Sequence, residues 1–194
     1  MKRTWERTFV MVKPDGVERG LIGEIIKRFE QRGLRIAALK MVNGAEEVIA
    51  KHYADDEEWL KSVGQKTKTS FAKKGIEMSE SDISIGKRIR SWLMDYVKSG
   101  PVVVMVIEGN HAIEVVRKVV GSTEPRTALA GTIRGDFSID SYELGDNLKR
   151  PVKNLIHASG NEKEAKNEVH IWFSEEEIHQ YSRSDEKSSL HKTW

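Results

Sequence analysis

The chain has 194 residues, with 32 basic and 30 acidic side chains and no cysteine. This length suits one domain, or at most two small ones, with a real hydrophobic core. Without cysteine the chain can form neither a disulfide nor a thiolate zinc site, and it cannot use a cysteine nucleophile. The longest apolar run, Val102 to Ile107, is far too short to span a bilayer.

The chain ends and the charge balance narrow the functional classes further. Met1 to Arg7 is polar and has no apolar leader, so we expect a cytoplasmic protein with no membrane attachment. The formal net charge is only +2. Nucleic-acid binding is therefore not expected, because neutralising phosphates requires a concentrated basic patch.

The first quarter of the chain alternates strand and helix patterns. Thr8 to Lys13 is a short apolar run that ends at Pro14-Asp15-Gly16, which predicts a strand and then a turn. From Gly20 to Gly33 apolar side chains recur every three or four residues, which predicts an amphipathic helix. A second strand is predicted for Leu34 to Val42 and a short helix for Ala45 to Tyr53.

Residues 55–98 are polar, with eight acidic and nine basic side chains. Apolar residues at helical spacing near the end predict an ordered, docked helix; they are Ile83, Ile85, Ile89, Trp92, Leu93 and Tyr96. The near balance of charge indicates a solvated surface element. A nucleic-acid contact through Lys66 to Lys74 is an alternative, weakened by the acidic residues on both sides.

The second half begins with the most apolar segment, Pro101 to Glu108, which predicts a central strand. Ala112 to Val120 predicts a helix that closes at Gly121. Residues from Ser122 to Gly160 show no sustained period and are too many for an idle loop.

Three alternating apolar residues predict a fourth strand; they are Val169, Ile171 and Phe173. Ser174 and Glu177 form a capping signature, which predicts a short helix before a loose polar end. Four strands interleaved with helices favour a two-layer sandwich. The pattern leaves the strand order open.

The common nucleotide and metal motifs are missing from this sequence. It contains no G-x-x-x-x-G-K-[ST], no G-x-G-x-x-G, no protein-kinase signature set and no H-E-x-x-H. Polar residues suited to phosphate chemistry instead lie between positions 117 and 160; they are Arg117, Thr123, Arg126, Arg134, Asn154, His157 and Ser159. Arginine can bind phosphate oxygens at two points, and histidine can act as acid, base or nucleophile. Taken singly, each of these, like Lys13, is more often a structural or surface residue.

Taken together, these residues closely resemble the nucleoside diphosphate kinase family. The resemblance rests on colinear segments: Arg7 to Gly33 (RTFVMVKPDGVERGLIGEIIKRFEQRG), Ser99 to Val102 (SGPV), Gly131 to Phe137 (GTIRGDF) and Asn154 to Ser159 (NLIHAS). The spacings of Arg117, Thr123 and Arg134, and of His157 and Glu168, agree with the family as well.

The resemblance implies a ferredoxin-like α+β sandwich, a single domain over residues 1–194 with a four-stranded antiparallel sheet. It implies transfer of the γ-phosphate of a nucleoside triphosphate, usually ATP, to a nucleoside diphosphate. This ping-pong reaction passes through a phosphohistidine at His157. The alternative is a non-catalytic nucleotide-binding or regulatory relative.

The same resemblance implies the partners of the reaction. Mg²⁺ is expected to be held mainly by nucleotide phosphates and water, with no direct protein ligand. Family members assemble as hexamers, tetramers or dimers, so we expect a homo-oligomer.

Roles for individual side chains also follow from the resemblance. Glu168 is expected to hydrogen-bond the second ring nitrogen of His157, with Ser159 helping to hold Glu168. Lys13 and Arg134 are expected to meet the transferring phosphoryl group, near the hydroxyl of Tyr53. Arg117 and Thr123 are expected to hold the diphosphate portion of the nucleotide. Asn154, together with Lys13, is expected to bind the sugar hydroxyl.

This chain departs from short family members in two insertions, near 55–90 and 140–150. The first falls where the family places the aromatic shelf for the base. Counting from the two ends puts that shelf at Trp59 or Leu60, or between Ile89 and Trp92. The second insertion, Ser141 to Arg150, is interpreted as surface elaboration, with subunit contact or site gating as the alternative.

Two small departures follow the predicted nucleophile. Ala158 and Gly160 stand where glycine and aspartate are more usual. We expect neither of these changes to abolish activity.

Overall fold

The computed structural model describes residues 4–53, 55–72 and 75–186. Its strands are β1 (Trp5–Val12), β2 (Arg35–Val42), β3 (Val102–Asn110) and β4 (Ile156–Ala158). The longer helices are α2 (Ile22–Gln31), α3 (Glu46–His52), α4 (Glu57–Ala72), α5 (Asp82–Lys98), α6 (Ala112–Val120) and α9 (Glu162–Trp172). The shorter helices are α1 (Pro14–Glu18), α7 (Ile133–Phe137) and α8 (Tyr142–Asn147), with 3₁₀ turns at Pro125–Thr127 and Glu175–Glu177.

The strands form one antiparallel sheet in the order β2-β3-β1-β4. β1 pairs with β3 along its whole length, with Phe9 opposite Val106. On its other side β1 pairs with the short strand β4, where Met11 lies opposite His157. The predicted four-stranded antiparallel sheet is therefore confirmed, as is the central position of the apolar segment that forms β3.

Helices cover both faces of this sheet. Phe9 and Met11 of β1 point to a core shared with Val97 of α5 and Trp172 of α9. The alternate residues of β1 point to a second core, built with Ile25 and Phe29 of α2 and Val116 and Val120 of α6. Because both faces of β3 are buried, its side chains from Val102 to Ile107 are all apolar rather than alternating.

The predicted strand over residues 169–173 is wrong, because these residues lie in and after helix α9. The buried positions of α9 are Ala165, Glu168, Val169 and Trp172, which follow helical spacing. Glu168 occupies one of these buried positions, so the helical spacing of apolar residues is interrupted in the sequence. The only regular pattern left is the alternation of apolar residues between 169 and 173, which is typical of a strand. The fourth strand is instead β4, three residues within the segment that shows no sustained period.

The structure also tests the turn predicted at Pro14 and the capping signature at Ser174 and Glu177. The turn predicted at Pro14 is the short helix α1, which has proline in its first turn, where a missing N–H costs no hydrogen bond. The capping signature is confirmed, since Ser174 and Glu177 form a capping box on a single 3₁₀ turn. The predicted loose end falls mainly beyond residue 186 and so lies outside the described residues.

The predicted docked helix is confirmed as α5, and it packs on α4. Gly64 of α4 and Gly86 of α5 lie directly against the backbone of the other helix, at Asp82 and Leu60. Leu60 and Ile85 are buried in this contact. In the described part of the chain, no helix is both long and apolar enough to cross a membrane.

Candidate active site

His157 lies in the middle of β4, at an edge of the sheet, with its side chain 22% exposed. Leu155, just before the strand, takes a left-handed conformation with φ of 67°. This turn is fixed from both sides, since the Lys13 amide donates to the Leu155 carbonyl (2.8 Å) and the Leu155 amide donates to Asp15 Oδ2 (3.1 Å). The loop that follows β1 therefore sets the position of His157.

Glu168 of α9 holds one ring nitrogen of His157. The distances from His157 Nε2 to the two carboxylate oxygens are 2.9 and 3.0 Å. Ser159 Oγ donates to Glu168 Oε2 at 2.6 Å. Burial favours the neutral acid, but the neighbouring His157 and the hydrogen bonds outweigh it and hold the pKa of Glu168 below its usual value.

An ionised Glu168 accepts hydrogen bonds only, so the proton of a neutral His157 lies on Nε2. Within the described residues the other nitrogen, Nδ1, makes no hydrogen bond. Its lone pair is then available to attack an electrophile. The contact of Glu168 with the second ring nitrogen has the geometry expected from the sequence, and the Ser159 contact with Glu168 is also present.

A second histidine packs against this pair. The His52 ring lies edge-on to the His157 ring, with 4.6 Å between centroids, and Trp172 Nε1 donates to His52 Nδ1 at 3.3 Å. Burial and the proximity of His157 lower the pKa of His52 to about 3, so His52 stays neutral. Sequence reasoning missed this residue. Its position directly before Tyr53 was the available signal.

Lys13 and Asn154 form the next part of the site. Lys13 Nζ donates to Asn154 Oδ1 at 2.8 Å, and Asn154 Nδ2 donates to the Thr123 carbonyl at 2.9 Å. Lys13 is buried, and burial together with the charge of Arg134 lowers its pKa to about 7. A bound anion would restore the charged form of Lys13, so this lysine is suited to a phosphate oxygen.

Arg134 of α7 organises the backbone around the site. Its guanidinium donates to the carbonyls of Asn154 (3.2 Å), Gly121 (3.0 Å) and Ile156 (2.6 Å). Burial and the nearby charge of Arg117 lower the pKa of Arg134 to about 10. A guanidinium has five N–H groups, so donors remain for a ligand.

Three other predicted residues surround this centre. Arg117, in the last turn of α6, and Thr123, in the following loop, are exposed. Tyr53 is buried, and among the described residues its hydroxyl has no hydrogen-bond partner. Burial and then the charge of Glu168 raise the pKa of Tyr53, so its hydroxyl stays protonated and can donate. The predicted residues thus come from α6, α7, β4 and α9, from the positions directly after β1 and α3, and from the loops that follow α6 and precede β4.

The two positions expected for the aromatic shelf, at Trp59 or Leu60 and between Ile89 and Trp92, differ in how far their side chains are exposed. Leu60 is buried between α4 and α5, which removes it as a stacking surface. Trp59 packs against the core under the sheet. Ile89 and Trp92 of α5 are half-buried, and the Arg88 guanidinium lies 5.9 Å from the Trp92 ring centre.

Within the described residues, one group could hold a metal ion through three side chains: His52, His157 and Glu168. This set offers two imidazole nitrogens and a single carboxylate. Mg²⁺ prefers an octahedron of oxygen ligands, so these residues do not fit a resident magnesium site.

Comparison with known proteins agrees with the fold and shows the family. The family model for nucleoside diphosphate kinase matches residues 6–76 and 83–178. The nucleoside diphosphate kinase of Pyrobaculum aerophilum is 48% identical over 178 residues, covering 89% of this chain and 97% of the relative. That of Archaeoglobus fulgidus is 42% identical over 181 residues, covering 93% and 95%.

Solved structures give the same result. An NDP kinase from Pyrobaculum aerophilum superposes with a TM-score of 0.86 at 46% identity, covering 91% of this chain and all of that one. A transition-state mimic of the Borrelia burgdorferi nucleoside diphosphate kinase, with bound vanadate and ADP, gives 0.78 at 38% identity, covering 95% and 96%. The fold and these relatives show that the chain is a phosphotransferase. The chain belongs to the nucleoside diphosphate kinase family, whose activity requires a divalent cation.

Proposed function

We propose that this enzyme transfers the γ-phosphate of a nucleoside triphosphate to a nucleoside diphosphate through a phosphohistidine on Nδ1 of His157. The observation that carries the proposal is the hydrogen bond of Nε2 to Glu168, which leaves the Nδ1 lone pair free. The family assignment supports the same chemistry.

In the first half-reaction Nδ1 attacks the γ-phosphorus, and the bond from that phosphorus to the β–γ bridging oxygen breaks. The nucleoside diphosphate leaves with the electron pair of that bond. The imidazole ring becomes positively charged, and the adjacent Glu168 carboxylate stabilises this charge. In the second half-reaction a terminal phosphate oxygen of another nucleoside diphosphate attacks, and the P–N bond breaks.

The cationic and polar groups around His157 supply the rest of the catalysis. The transition state of phosphoryl transfer is loose, so the protein has little covalent chemistry to perform. Its role is to position the reacting groups and to stabilise the charge on the transferring phosphoryl group. We assign the transferring phosphoryl group to Lys13 and Arg134, with the Tyr53 hydroxyl donating nearby. Arg117 and Thr123 are proposed to bind the diphosphate portion of the nucleotide. Asn154, together with Lys13, is proposed to bind the sugar hydroxyl.

The nucleotide substrate is proposed to enter as its Mg²⁺ complex. Mg²⁺ neutralises phosphate charge and keeps most of its waters, so it needs no carboxylate cage. The mixed imidazole and carboxylate set at His157 is consistent with a metal that arrives on the nucleotide.

The direct test is incubation with γ-labelled ATP and Mg²⁺ in the absence of an acceptor. We expect one acid-labile phosphate per chain, on Nδ1 of His157, which is discharged by GDP. His157→Ala removes the label, whereas His170→Ala, on the exposed side of α9, keeps it. Nucleotide binding without any labelling would support the non-catalytic relative instead. Label that survives His157→Ala would overturn the assignment.

We further propose that residues 1–194 form one catalytic domain, with the insertions near 55–90 and 140–150 at its surface. A homo-oligomer is proposed as well: a dimer, tetramer or hexamer. The edge strand β2 exposes Leu39 (48%) and Met41 (54%), which supports a contact between copies. Native mass spectrometry tests the assembly, and a monomer at micromolar concentration would refute it. The cytoplasm, where nucleotide substrates are abundant, is the proposed location.

A further inference from the structure

The aromatic ring of Tyr96 lies against the ammonium group of Lys13. Tyr96 is in the last turn of α5, and only 7% of this residue is exposed. Lys13 Nζ lies over the face of the ring, 5.3 Å from its centre. Lys13 itself is only 5% exposed. A cation over an aromatic face is attracted by the ring quadrupole, and this attraction is stronger where water is excluded.

The position of Tyr96 is fixed by the end of α5 and by the segment that follows it. The carbonyl of Tyr96 accepts hydrogen bonds from the amide (3.2 Å) and from the hydroxyl (2.7 Å) of Ser99. Gly100 lies next to Pro14, since a Cβ added at Gly100 would come within 3.4 Å of the proline side chain. The end of α5 is therefore held beside the residues that follow β1, so Tyr96 meets Lys13 before any ligand binds.

The hydroxyl end of Tyr96 lies close to the carboxylate of Asp15. Burial, and then the charge of Asp15, raise the pKa of Tyr96, so its hydroxyl stays protonated. Asp15 Oδ2 in turn accepts the hydrogen bond from the Leu155 amide (3.1 Å), in the turn that leads to His157. Tyr96 is thus placed between Lys13 and the carboxylate that holds this turn.

Lys13 is surrounded by titratable groups from four helices: Arg134 of α7, Asp15 of α1, His52 of α3 and Tyr96 of α5. Burial and the charge of Arg134 lower the pKa of Lys13, whereas the charge of Asp15 raises it. His52 is neutral. The Tyr96 ring favours the ammonium form of Lys13 without adding a negative charge. Lys13 can therefore be charged in part and still attract a phosphate oxygen.

We propose that Tyr96 is a positioning residue for phosphoryl transfer, whose ring keeps the Lys13 ammonium charged and directed at the transferring phosphoryl group. This inference rests on the proposed function, and Tyr96 acts in it entirely through Lys13. Lys13 Nζ also donates to Asn154 Oδ1 (2.8 Å). The ring and Asn154 together fix the ammonium group, which has three N–H donors and so keeps a donor for the phosphate.

The test weakens the electrostatic attraction of the ring while its shape is kept. Tyr96→Phe retains the aromatic face, and phenylalanines of increasing ring fluorination at position 96 then withdraw electron density from that face. Rapid quench measures phosphohistidine formation from γ-labelled ATP and Mg²⁺. We expect Tyr96→Phe to react within about threefold of the parent and the fluorinated rings to react progressively more slowly. Tyr96→Leu is expected to react about 5- to 30-fold more slowly.

Two further measurements separate this role from simple packing. Proton uptake on ADP binding reports how much of Lys13 is neutral in the free protein. Because the ring favours the charged form, its loss in Tyr96→Leu should lower the pH at which uptake begins by about 0.7–1.5 pH units. In a Lys13→Gln background, Tyr96→Leu should cause no further loss of rate, since the two residues act as one unit.

Tyr181→Leu is the matched control, because it removes an exposed tyrosine whose ring centre lies 5.4 Å from the Arg35 guanidinium, outside the proposed site. It should leave both the rate and the proton uptake unchanged. Equal rates across the fluorinated series would overturn the inference, as would an added loss from Tyr96→Leu in the Lys13→Gln background. If Tyr96→Leu does not fold, the fluorinated series decides the question, since it preserves the packing.

The labelling of His157 in the parent chain separates the two proposals. A labelled parent with equal rates in the fluorinated series refutes only the role of Tyr96. An unlabelled parent refutes the proposed function, and the pH at which proton uptake begins then still tests the link between Tyr96 and Lys13.

Discussion

Glu168 and His157 lie eleven residues apart in the chain, and their side chains meet at 2.9 Å between Oε1 and Nε2. Strand β4 carries the histidine and helix α9 carries the carboxylate. The pair is formed because α9 packs back on the sheet face that His157 shares with Met11. A buried carboxylate on this helix is costly unless it is paired, so its place in the core indicates a function.

Glu168→Gln tests the charge of this pair. The amide has nearly the same shape but cannot stabilise a positive imidazole ring, and it can impose the wrong tautomer on His157. We expect the rate of phosphohistidine formation to fall on the order of 100-fold or more. Rapid-quench single-turnover kinetics measures this rate. Glu162→Gln, at an exposed position of the same helix, is the control and should react normally. A normal rate in Glu168→Gln would refute the role of the charge.

Ser159→Ala tests the hydrogen bond that the Ser159 hydroxyl donates to the Glu168 carboxylate. The Ser159 hydroxyl lowers the pKa of Glu168, so its removal raises that pKa. Glu168 then takes up a proton at a higher pH, and the acidic limb of the pH–rate profile moves upward. At neutral pH we expect a loss of about 10- to 100-fold, the value of one hydrogen bond to a charged group. Ser84→Ala, at an exposed position of α5, should leave the profile unmoved. An unshifted acidic limb in Ser159→Ala would contradict this account.

Nucleotide binding should be coupled to protonation of Lys13. In the free protein the pKa of Lys13 is lowered to about 7, so this side chain is mostly neutral at pH 8.5. Phosphate oxygens favour the charged form and raise the pKa. Binding at pH 8.5 is therefore expected to take up about one proton, and the uptake should vanish well below pH 7. Calorimetry in buffers of different ionisation enthalpy measures the uptake. The exposed control Lys27→Gln should retain it and Lys13→Gln should lose it. Proton release, or no exchange, would exclude this role.

The contact between α4 and α5 should be sensitive to a single methyl group. A Cβ at Gly64 would overlap the Asp82 backbone, and one at Gly86 would overlap the Leu60 backbone. We expect Gly64→Ala or Gly86→Ala to destabilise the fold by about 1–3 kcal/mol, the cost of overpacking. Gly23→Ala, on α2 with open space around it, is the matched control and should stabilise by roughly 0.5–1 kcal/mol. Denaturant unfolding gives both values. Equal stability of Gly64→Ala and Gly23→Ala would show that the two helices separate easily.

Much of the fold could be predicted from local patterns. β3 is recognisable because six consecutive apolar residues, Val102 to Ile107, fit a strand buried on both faces. α2 and α6 are recognisable because each has one apolar face. Residues 169–173, at the end of α9 and directly after it, are predicted as a strand because Glu168 interrupts the apolar face of this helix. The sequence does not reveal β4 because three residues carry too little periodicity.

The sequence by itself determined the family and named the residues that we propose to react. Several separated motifs with fixed spacing are shared with the family, whereas composition alone does not distinguish it. Only the tertiary structure decided which nitrogen of His157 is free, that Lys13 is buried beside Arg134, and that the ring of Tyr96 lies against Lys13. The physical reason is that burial, charge coupling and ring contacts arise between residues distant in the chain. Local sequence determines strand and helix propensity, whereas packing determines protonation and access.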